Sequence, residues 1–536
     1  MIVELKINIP MKTKYILLMF LMYVSAHTAA AYDVCINNIC YNLFGMEATV
    51  TNDPSYRIHY SGDIVIPEKI THNGITFVVT SIGEKAFFSC TSLTSVVIPN
   101  SVTSIGKRAF RDCKDLTSVV IPNSVLTIEE GAFASCWKLA TISVSDNVEY
   151  IGYEAFDYTP WFNNLPNGMI YLGKVAYKYN GTMPAGTNFS IKEGIKSITG
   201  GAFRGVSGLA SVTIPSSVTS IGMSAFSGCQ DLTSVTIPAS VTSMESGAFS
   251  KCVNLTSITI CDGAKTIGDN AFSGCTALTS IEFPSSVVSL GRRVFEDCSA
   301  LSSVTISDNM EYIGTDCFKK TAWYNNQPDG MIYVGKIAYK YKGGMPEGTN
   351  MVIKDGTLCI AGKAFASCTG LKSVIIPSSV TTIGEGAFSY CHGLTWFIIP
   401  HGVTILESGA FYKCSALAYL VIPSSVTQIG GECFKSCGSL KDLYVFIPTP
   451  LPISYDDFSY SYSATLHVPV GCKSKYQAAE YWKNFNEIVE DANPTGISEI
   501  STKAATQQQV FTLDGSQISK PRKGLNIING RKVLVK

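Results

Sequence analysis

A phenylalanine recurs every 23 residues along most of this 536-residue chain. It stands at Phe87, Phe110, Phe133 and Phe156, at six positions from Phe203 to Phe318, and at four from Phe365 to Phe434. Two gaps of 47 residues separate the three runs. A fixed period of this size means that one unit cannot bury its own apolar face and must stack on its neighbours. The chain is therefore expected to be a solenoid, and its function is to be sought on an extended surface rather than in an enclosed pocket.

Residues 214–237 show what one unit does. Val235 and Ile237 point inward while Ser234 and Thr236 point outward, the alternation of a short strand. Leu232 precedes them on the apolar side, and Pro238 ends the strand because it has no N–H for a ladder. Val218 and Ile221 form a second inward group before Gly222, a residue suited to a tight bend. Ala225-Phe226 then inserts under the turn, in a stretch with room for a helical turn or two. Stacked coils place like residues about 4.8 Å apart, so the strands form a parallel sheet and the phenylalanines an internal stack.

The runs "SVTSIGMSAFSGCQDLTSVTIP" and "SVTTIGEGAFSYCHGLTWFIIP" resemble the BspA-like leucine-rich repeats of bacterial surface proteins. The likeness covers residues 81–445, with Met244 and Leu406 in place of the usual Ile, and Val294 and Cys317 in place of the Ala before Phe. It implies an α/β-type solenoid dominated by short parallel strands, a right-handed leucine-rich-repeat array. Residues 142–226 realign with 304–388 at an offset of 162, so part of the array was duplicated as a block. Each copy contains a variant coil with an expected hairpin, Met169 to Tyr179 or Met331 to Tyr341, turning at Gly-Lys 173–174 or 335–336.

The ends differ in character. Residues 11–31 read as a secretory signal: a basic Met11-Lys12-Thr13-Lys14, an apolar Tyr15 to Val24 and a small-residue Ala29-Ala30-Ala31, with residues 1–10 an upstream extension. No cysteine follows the cleavage site directly, and no later stretch is apolar for long enough to span a membrane. Residues 32–80 alternate as strands and suit an N-terminal cap. Residues 446–490 suit a C-terminal cap, with a helix expected within Cys472 to Phe485 and Tyr476, Ala479 and Tyr481 partly on one face. Residues 491–505 have linker composition. The final 506–536 read as short strands, and "KGLNIINGRKVLVK" resembles the C-terminal sorting-type domains of secreted Bacteroidetes proteins, which implies delivery to the outer face of the cell.

Zero net charge and 15% charged residues show no basic bias toward nucleic acid. Of 18 cysteines, eleven sit three residues after a repeat phenylalanine. Their side chains project in parallel from successive coils, whereas a disulfide needs convergent Cβ vectors, so they read as small buried hydrophobes. Cys35 and Cys40 differ: an Asn37-Asn38 hairpin sets them opposite each other, where a disulfide fits. Cys391, His392, His401 and Glu407 lie near one another in the repeat, but Cys391 occupies the buried repeat position. No metal-ligand spacing, nucleophile elbow or phosphate loop occurs. No enzyme activity and no cofactor are expected.

The outward strand positions carry the functional reading. One row runs through Ser211, Ser234, Ser257, Ser280 and Ser303 and ends in Trp396, Tyr419 and Asp442. The row two residues on runs through Thr213, Thr236 and Thr259 and ends in Ile375, Ile398, Val421 and Tyr444. Trp396, Tyr419, Tyr444, Ile375 and Ile398 are therefore the candidate ligand-binding residues, unless the C-terminal cap folds over them. The aromatics Trp161, Tyr171 and Tyr177, matched by Trp323, Tyr333 and Tyr339, are a second candidate, with packing inside the variant coils as the alternative. The expected role is a secreted adhesion or binding protein contacting host matrix or bacterial proteins, as the resemblance implies. A glycan-binding surface component and a structural envelope protein are the alternatives.

Overall fold

The structure, a computed structural model, describes residues 32–52 and 60–490 and the backbone of four strands beyond them. The signal-like segment 1–31 and the linker 491–505 lie outside the described residues, as does His59. The chain divides into two compact units, residues 1–165 and 166–536.

Each ordinary coil contributes two short strands, one to each of two parallel ladders. In the first unit one ladder runs from Glu47–Thr51 through Ile75–Ile82 and Ser104–Ile105 to Tyr150–Ile151. The other pairs Gly62–Val65 with Leu93–Val97, and Ser118–Val120 with Thr141–Ser143. In the second unit Val175–Asn180 leads a ladder of two-residue strands that ends at Tyr312–Ile313, and Ile337–Lys342 leads another that ends at Gln428–Ile429. Like residues face like residues, as in Ser234 opposite Ser257 and Ile237 opposite Ile260, because a period of 23 restores the same phase at every coil. The ladders reach past both ends of 81–445. Thr465–Val468 and Glu487–Glu490 add two strands beyond Asp442–Val445 in the same sheet.

The segment around Ala-Phe is not helical. Phe226 N–H donates to Ala248 of the next coil at 2.7 Å, and the N–H groups of Ser224 and Gly228 donate to Ser246 and Ser250. Ser224 and Gly228, two residues on either side of the phenylalanine, have φ of 54° and 74°. Left-handed residues at this spacing break the run of right-handed dihedrals that a helix requires. The freed N–H groups therefore build a third ladder from coil to coil. Among the described residues, α-helix is confined to Pro160–Asn163, Ala322–Asn325 and Lys473–Ala478.

The repeat phenylalanines are fully buried and stack nearly parallel: Phe87 and Phe110 are 4.8 Å apart at 4°, Phe226 and Phe249 4.9 Å apart at 3°. Aromatic pairs left to themselves prefer offset or edge-on contact; here translation along the stack imposes the parallel arrangement. The cysteines do more than fill space. The Cys113 thiol donates to the Phe87 carbonyl at 3.1 Å, and the same bond recurs from Cys136, Cys229, Cys252, Cys275, Cys298, Cys391, Cys414 and Cys437 to the phenylalanine of the preceding coil. Where the next coil is a variant one, a threonine takes over. The Thr159 and Thr321 hydroxyls donate to Phe156 and Phe318 and also accept the N–H that caps the short helices Pro160–Asn163 and Ala322–Asn325.

Both variant coils contain the hairpin expected of them, Gly168–Leu172 with Val175–Asn180 and Gly330–Val334 with Ile337–Lys342. Their aromatics repair the interrupted stack. Trp323 lies 5.0 Å from Phe318, Tyr339 is buried with its hydroxyl accepting from Phe318 N–H, and Tyr341 stacks on Phe365. In the first copy Trp161 packs on Phe156 within the first unit, and Tyr179 stacks on Phe203 within the second.

At the N-terminal end Cys35 and Cys40 are paired across the hairpin and joined by a disulfide, with Asn37 and Asn38 both at positive φ. The Tyr60 ring closes the stack 4.6 Å from Phe87, and its hydroxyl accepts from Cys40 N–H and donates to the Thr51 carbonyl. At the C-terminal end Phe458 extends the stack 5.0 Å from Phe434, and Trp482 and Phe485 cover it. The helix expected there is shorter, Lys473–Ala478, followed by a 3-10 turn at Trp482–Asn484. Tyr476 is buried, but Tyr481 has φ of 64° and lies outside the helix, so Tyr476 and Tyr481 do not share a helical face. In the tail, Val510–Thr512, Gln517–Ile518, Gly524–Ile528 and Arg531–Val535 form an antiparallel sheet.

Burial pushes the thiols of Cys90 and Cys368 up to about 11 and that of Cys229 to about 12. An unfolded thiol ionises near about 8.5, so above that pH the unfolded chain releases protons that the folded chain keeps. This contribution to stability is complete below about pH 8.5 and is lost as pH rises toward the folded values. Thermal unfolding under reductant should show a falling midpoint between pH 8 and 10.5. An unchanged midpoint would mean that the thiols are not protonated within the core. Among the described free cysteines only Cys261 is part-exposed, so native alkylation at pH 8 should label it first.

Candidate binding face

Outward strand positions form two rows along each run of coils. In the first unit one row carries Asp63, Ser95, Ser118 and Thr141, and the other Val65, Val97, Val120 and Ser143. Val65, Val97 and Val120 are exposed by 66%, 55% and 67%, far more than strand valines in a packed sheet. Val97 and Val120 line a groove of about 640 Å3 over this face, together with Ser95, Ser118, Asn100, Asn123 and Ser145. Asp63 accepts from the hydroxyls of Ser95 at 2.6 Å and Thr94 at 2.8 Å, and these bonds hold its carboxyl below the usual range.

In the second unit the first row begins with Asn188, which accepts from Ser211, and continues as exposed Ser234, Ser257, Ser280 and Ser303. It restarts at Asn350, which accepts from Ser373, and turns aromatic at Trp396 and Tyr419. The second row passes through Thr236, Thr259, Glu282 and Thr305, then becomes apolar at Val352 and Ile375 and at Ile398, Val421 and Tyr444. His467 continues it, its ring stacked 4.0 Å from Tyr444 at 10° and its Nε2 3.3 Å from Asp442.

Four of the five residues singled out in the sequence come together. Trp396, Ile398, Tyr419 and Tyr444 pack into one cluster with Val421 and Phe446, while Ile375 lies on the preceding strand outside it. Their exposure is uneven. Trp396, Ile398 and Ile375 are half-buried, but Tyr419 and Tyr444 are 7% and 6% exposed and Val421 is fully buried. Tyr419 and Tyr444 therefore act within the cluster rather than as open platforms. The second aromatic set sits largely in the core: Tyr177 and Tyr339 are buried, and Trp323 packs on Phe318. The Tyr171 and Tyr333 hydroxyls accept from the backbone N–H of Lys192 and Lys354.

The Cys391 neighbourhood is committed to structure. The thiol donates to Phe365, His392 Nδ1 is 2.9 Å from Ser415 Oγ, and Glu407 accepts from Glu385 N–H at 2.8 Å and Tyr312 hydroxyl at 3.3 Å. Glu245 accepts from Met223 N–H in the same way. Where glutamate replaces the bend glycine, its carboxylate thus satisfies an N–H of the preceding coil, a role that the repeat pattern alone does not reveal. Among the described residues no group of histidines, cysteines and carboxylates could hold a metal, and no helix is long and apolar enough to cross a membrane.

The family model for the BspA type leucine rich repeat region matches residues 68–183, 172–272, 249–342 and 341–465, in six copies. None of the curated proteins compared with the chain matches it. Among solved structures, a leucine-rich repeat protein from Bacteroides ovatus is 26% identical, covering 77% of this chain and 94% of that one, with a TM-score of 0.29. A leucine rich cell surface protein from Faecalibacterium prausnitzii is 26% identical over 78% of this chain and 96% of that one, with a TM-score of 0.28. The pneumococcal vaccine antigen PcpA is 18% identical over 87% of this chain and all of that one (100%), with a TM-score of 0.28.

Proposed function

The chain belongs to the BspA-type leucine-rich repeat family, and from that premise we propose that it is a secreted, surface-displayed adhesion protein that binds a protein partner. The observation that carries this reading is the change along the outward rows of the second unit. Hydroxyl side chains give way to Val352, Ile375, Ile398 and Trp396, an apolar strip carried by two adjoining parallel sheets. A part-exposed tryptophan beside aliphatic residues is the composition of a protein-binding hot spot. Trp396 packs against the buried Tyr419, Val421 and Tyr444 of the neighbouring strands, which limits the side-chain freedom it would lose on binding.

Host matrix proteins and bacterial surface proteins are the proposed partners. The signal-like 11–31 and the sorting-like 506–536 support display on the outer face of the cell. The purified full chain should capture a specific protein on an array of matrix proteins, and deglycosylation of the target should leave capture intact. Trp396→Ala combined with Ile398→Asp should weaken it by about 2 kcal/mol or more, the usual scale of a hot spot. Capture unchanged in the double variant, with an unaltered circular dichroism spectrum, would remove the second unit's strip from consideration.

A further inference from the structure

Within the second unit the ladder of two-residue strands is continuous except at one place. It ends at Tyr312–Ile313 and restarts at Ile337–Lys342, the second strand of the second variant hairpin. The ladder around the phenylalanines stops there too. Phe295 N–H donates to the Cys317 carbonyl as in other coils, but Phe318 N–H donates to the Tyr339 hydroxyl instead of a backbone carbonyl. The hairpin itself belongs to the coils after the break: Ile337 and Ala338 pair with Cys359 and Ile360, and Tyr341 N–H donates to Ala364. The buried core also parts at this coil, with Tyr339 in one cluster and Ala338 and Ile360 in the other.

Side chains tie the two edges of the break together. Glu385 Oε2 lies 3.2 Å from Arg292 Nε and accepts from the Thr315 hydroxyl at 3.3 Å. Glu407 Oε2 accepts from the Tyr312 hydroxyl and from Glu385 N–H, and Lys363 Nζ lies 3.6 Å from Asp316. Burial, and after it the Glu407 charge, push the Tyr312 hydroxyl well above its usual range, so it stays a donor. Counting the variant coil, Arg292 and Glu385 stand four steps apart, as do Tyr312 and Glu407. In a straight stack four steps span about 19 Å, which these side chains cannot bridge. Hydrogen-bonded coils cannot close up, so the shortening lies at the break. There Thr315 sits directly against Gly362, where a Cβ would collide with its hydroxyl. The second unit is therefore bent toward this face at the break. Part-exposed ion pairs are individually weak; these matter because no strand pairing crosses the gap. The first variant coil lacks both ion pairs: Glu130 and Met223 stand for Arg292 and Glu385, and Glu154 and Gly201 for Asp316 and Lys363. The division of the chain into its two compact units falls within that coil, after residue 165.

We infer that the second variant coil is a joint within the second unit, latched in its bent form by Arg292, Tyr312, Thr315 and Asp316 on one edge and Lys363, Glu385 and Glu407 on the other. The hydroxyl row Ser234–Ser303 lies before the joint and the strip from Val352 onward beyond it, so the latch fixes the angle between these two surfaces. The inference holds whichever partner the strip takes. The test places spin labels on the full chain at Ser257→Cys and Ser424→Cys, exposed positions on opposite sides of the joint. A Cys261→Ser background removes the part-exposed thiol. Pulsed electron resonance of the parent should give one narrow set of distances. Glu385→Ala/Glu407→Gly, which puts the regular bend glycine at 407, should raise the population outside that set about tenfold. Arg292→Gln/Lys363→Gly, which spares both carboxylates of the latch and places at 363 the glycine of the first copy, should act in the same direction by less. Labels on one side of the joint, at Ser234→Cys and Ser280→Cys, should keep narrow distances in every variant. Distances across the joint that stay as narrow in both variants as in the parent would overturn the inference. So would broadening of equal size in the same-side pair, which would mean a general loosening of the coils.

Discussion

Phe249→Ala is expected to destabilise the second unit by about 3–5 kcal/mol, the usual cost of deleting a buried aromatic ring. Phe249 is fully buried, 4.9 Å from Phe226 and 5.6 Å from Phe272, so its loss removes ring contacts on both sides at once. Its backbone N–H still bonds Ala271, so the coil path should survive around the void. In a solenoid each coil is stabilised by its neighbours, and the damage should therefore be local. Hydrogen exchange should accelerate first in the coils holding Phe226, Phe249 and Phe272. Ser257→Ala, on the exposed outward row of the same coil, should change stability by no more than about 0.5 kcal/mol. A cost below about 1 kcal/mol for Phe249→Ala would show that the stack fills space without supporting the array.

Trp482→Ala should open the C-terminal end. The indole is 1% exposed, its N–H donates to the Leu451 carbonyl at 2.7 Å, and its ring meets Phe458, Tyr476 and Phe485. Substitution creates a cavity and leaves a carbonyl without its donor, for a combined cost of about 3–5 kcal/mol. Among the described residues no strand pairs beyond Glu487–Glu490 in this sheet to share the loss, so fraying should begin at residues 440–490 and spread inward. Exchange protection should disappear there at denaturant concentrations that leave the Phe226–Phe295 coils intact. Trp137→Ala makes a sharp comparison: that indole is 60% exposed, with Lys114 over its ring at 4.6 Å, and its removal should have little effect. Uniform loss of protection along the whole second unit would contradict the local account.

Much of this fold could be read from spacing. A 23-residue period, strict alternation at Val235 and Ile237, and the offset of 162 between the block copies led to the ladders, the stack and both hairpins. The Ala-Phe segment was not legible. Its left-handed residues are more often side chains such as Lys85, Arg108, Glu154, Ser224 and Asn270 than glycine, so no glycine marks where a helix is ruled out. The cysteine column looked like filler because a thiol's donor role depends on the Phe carbonyl of another coil, 26 residues back. On the binding face, alternation placed Trp396, Tyr419 and Tyr444 outward but carried no information on what lies above them. The valine row of the first unit was half visible: Val97 and Val120 stood in the outward series, while Val65 lies in a segment without the repeat signature and joins the row only through pairing with Leu93–Val97.

The solenoid, its period, its inward and outward faces and the outward side chains of the regular repeats are all written in the residue order. These follow from local alternation and from a translation that is the same at every step. Tertiary structure alone decided which outward residues stay open to a ligand and which are buried, and which polar atoms meet across coils. Val421 and Val97 occupy equivalent positions in the second outward row, yet one is fully buried and the other exposed. Exposure depends on how large side chains on neighbouring strands pack together: Trp396, Tyr419, Tyr444 and Phe446 close over one another, whereas the smaller residues around Val97 leave it open.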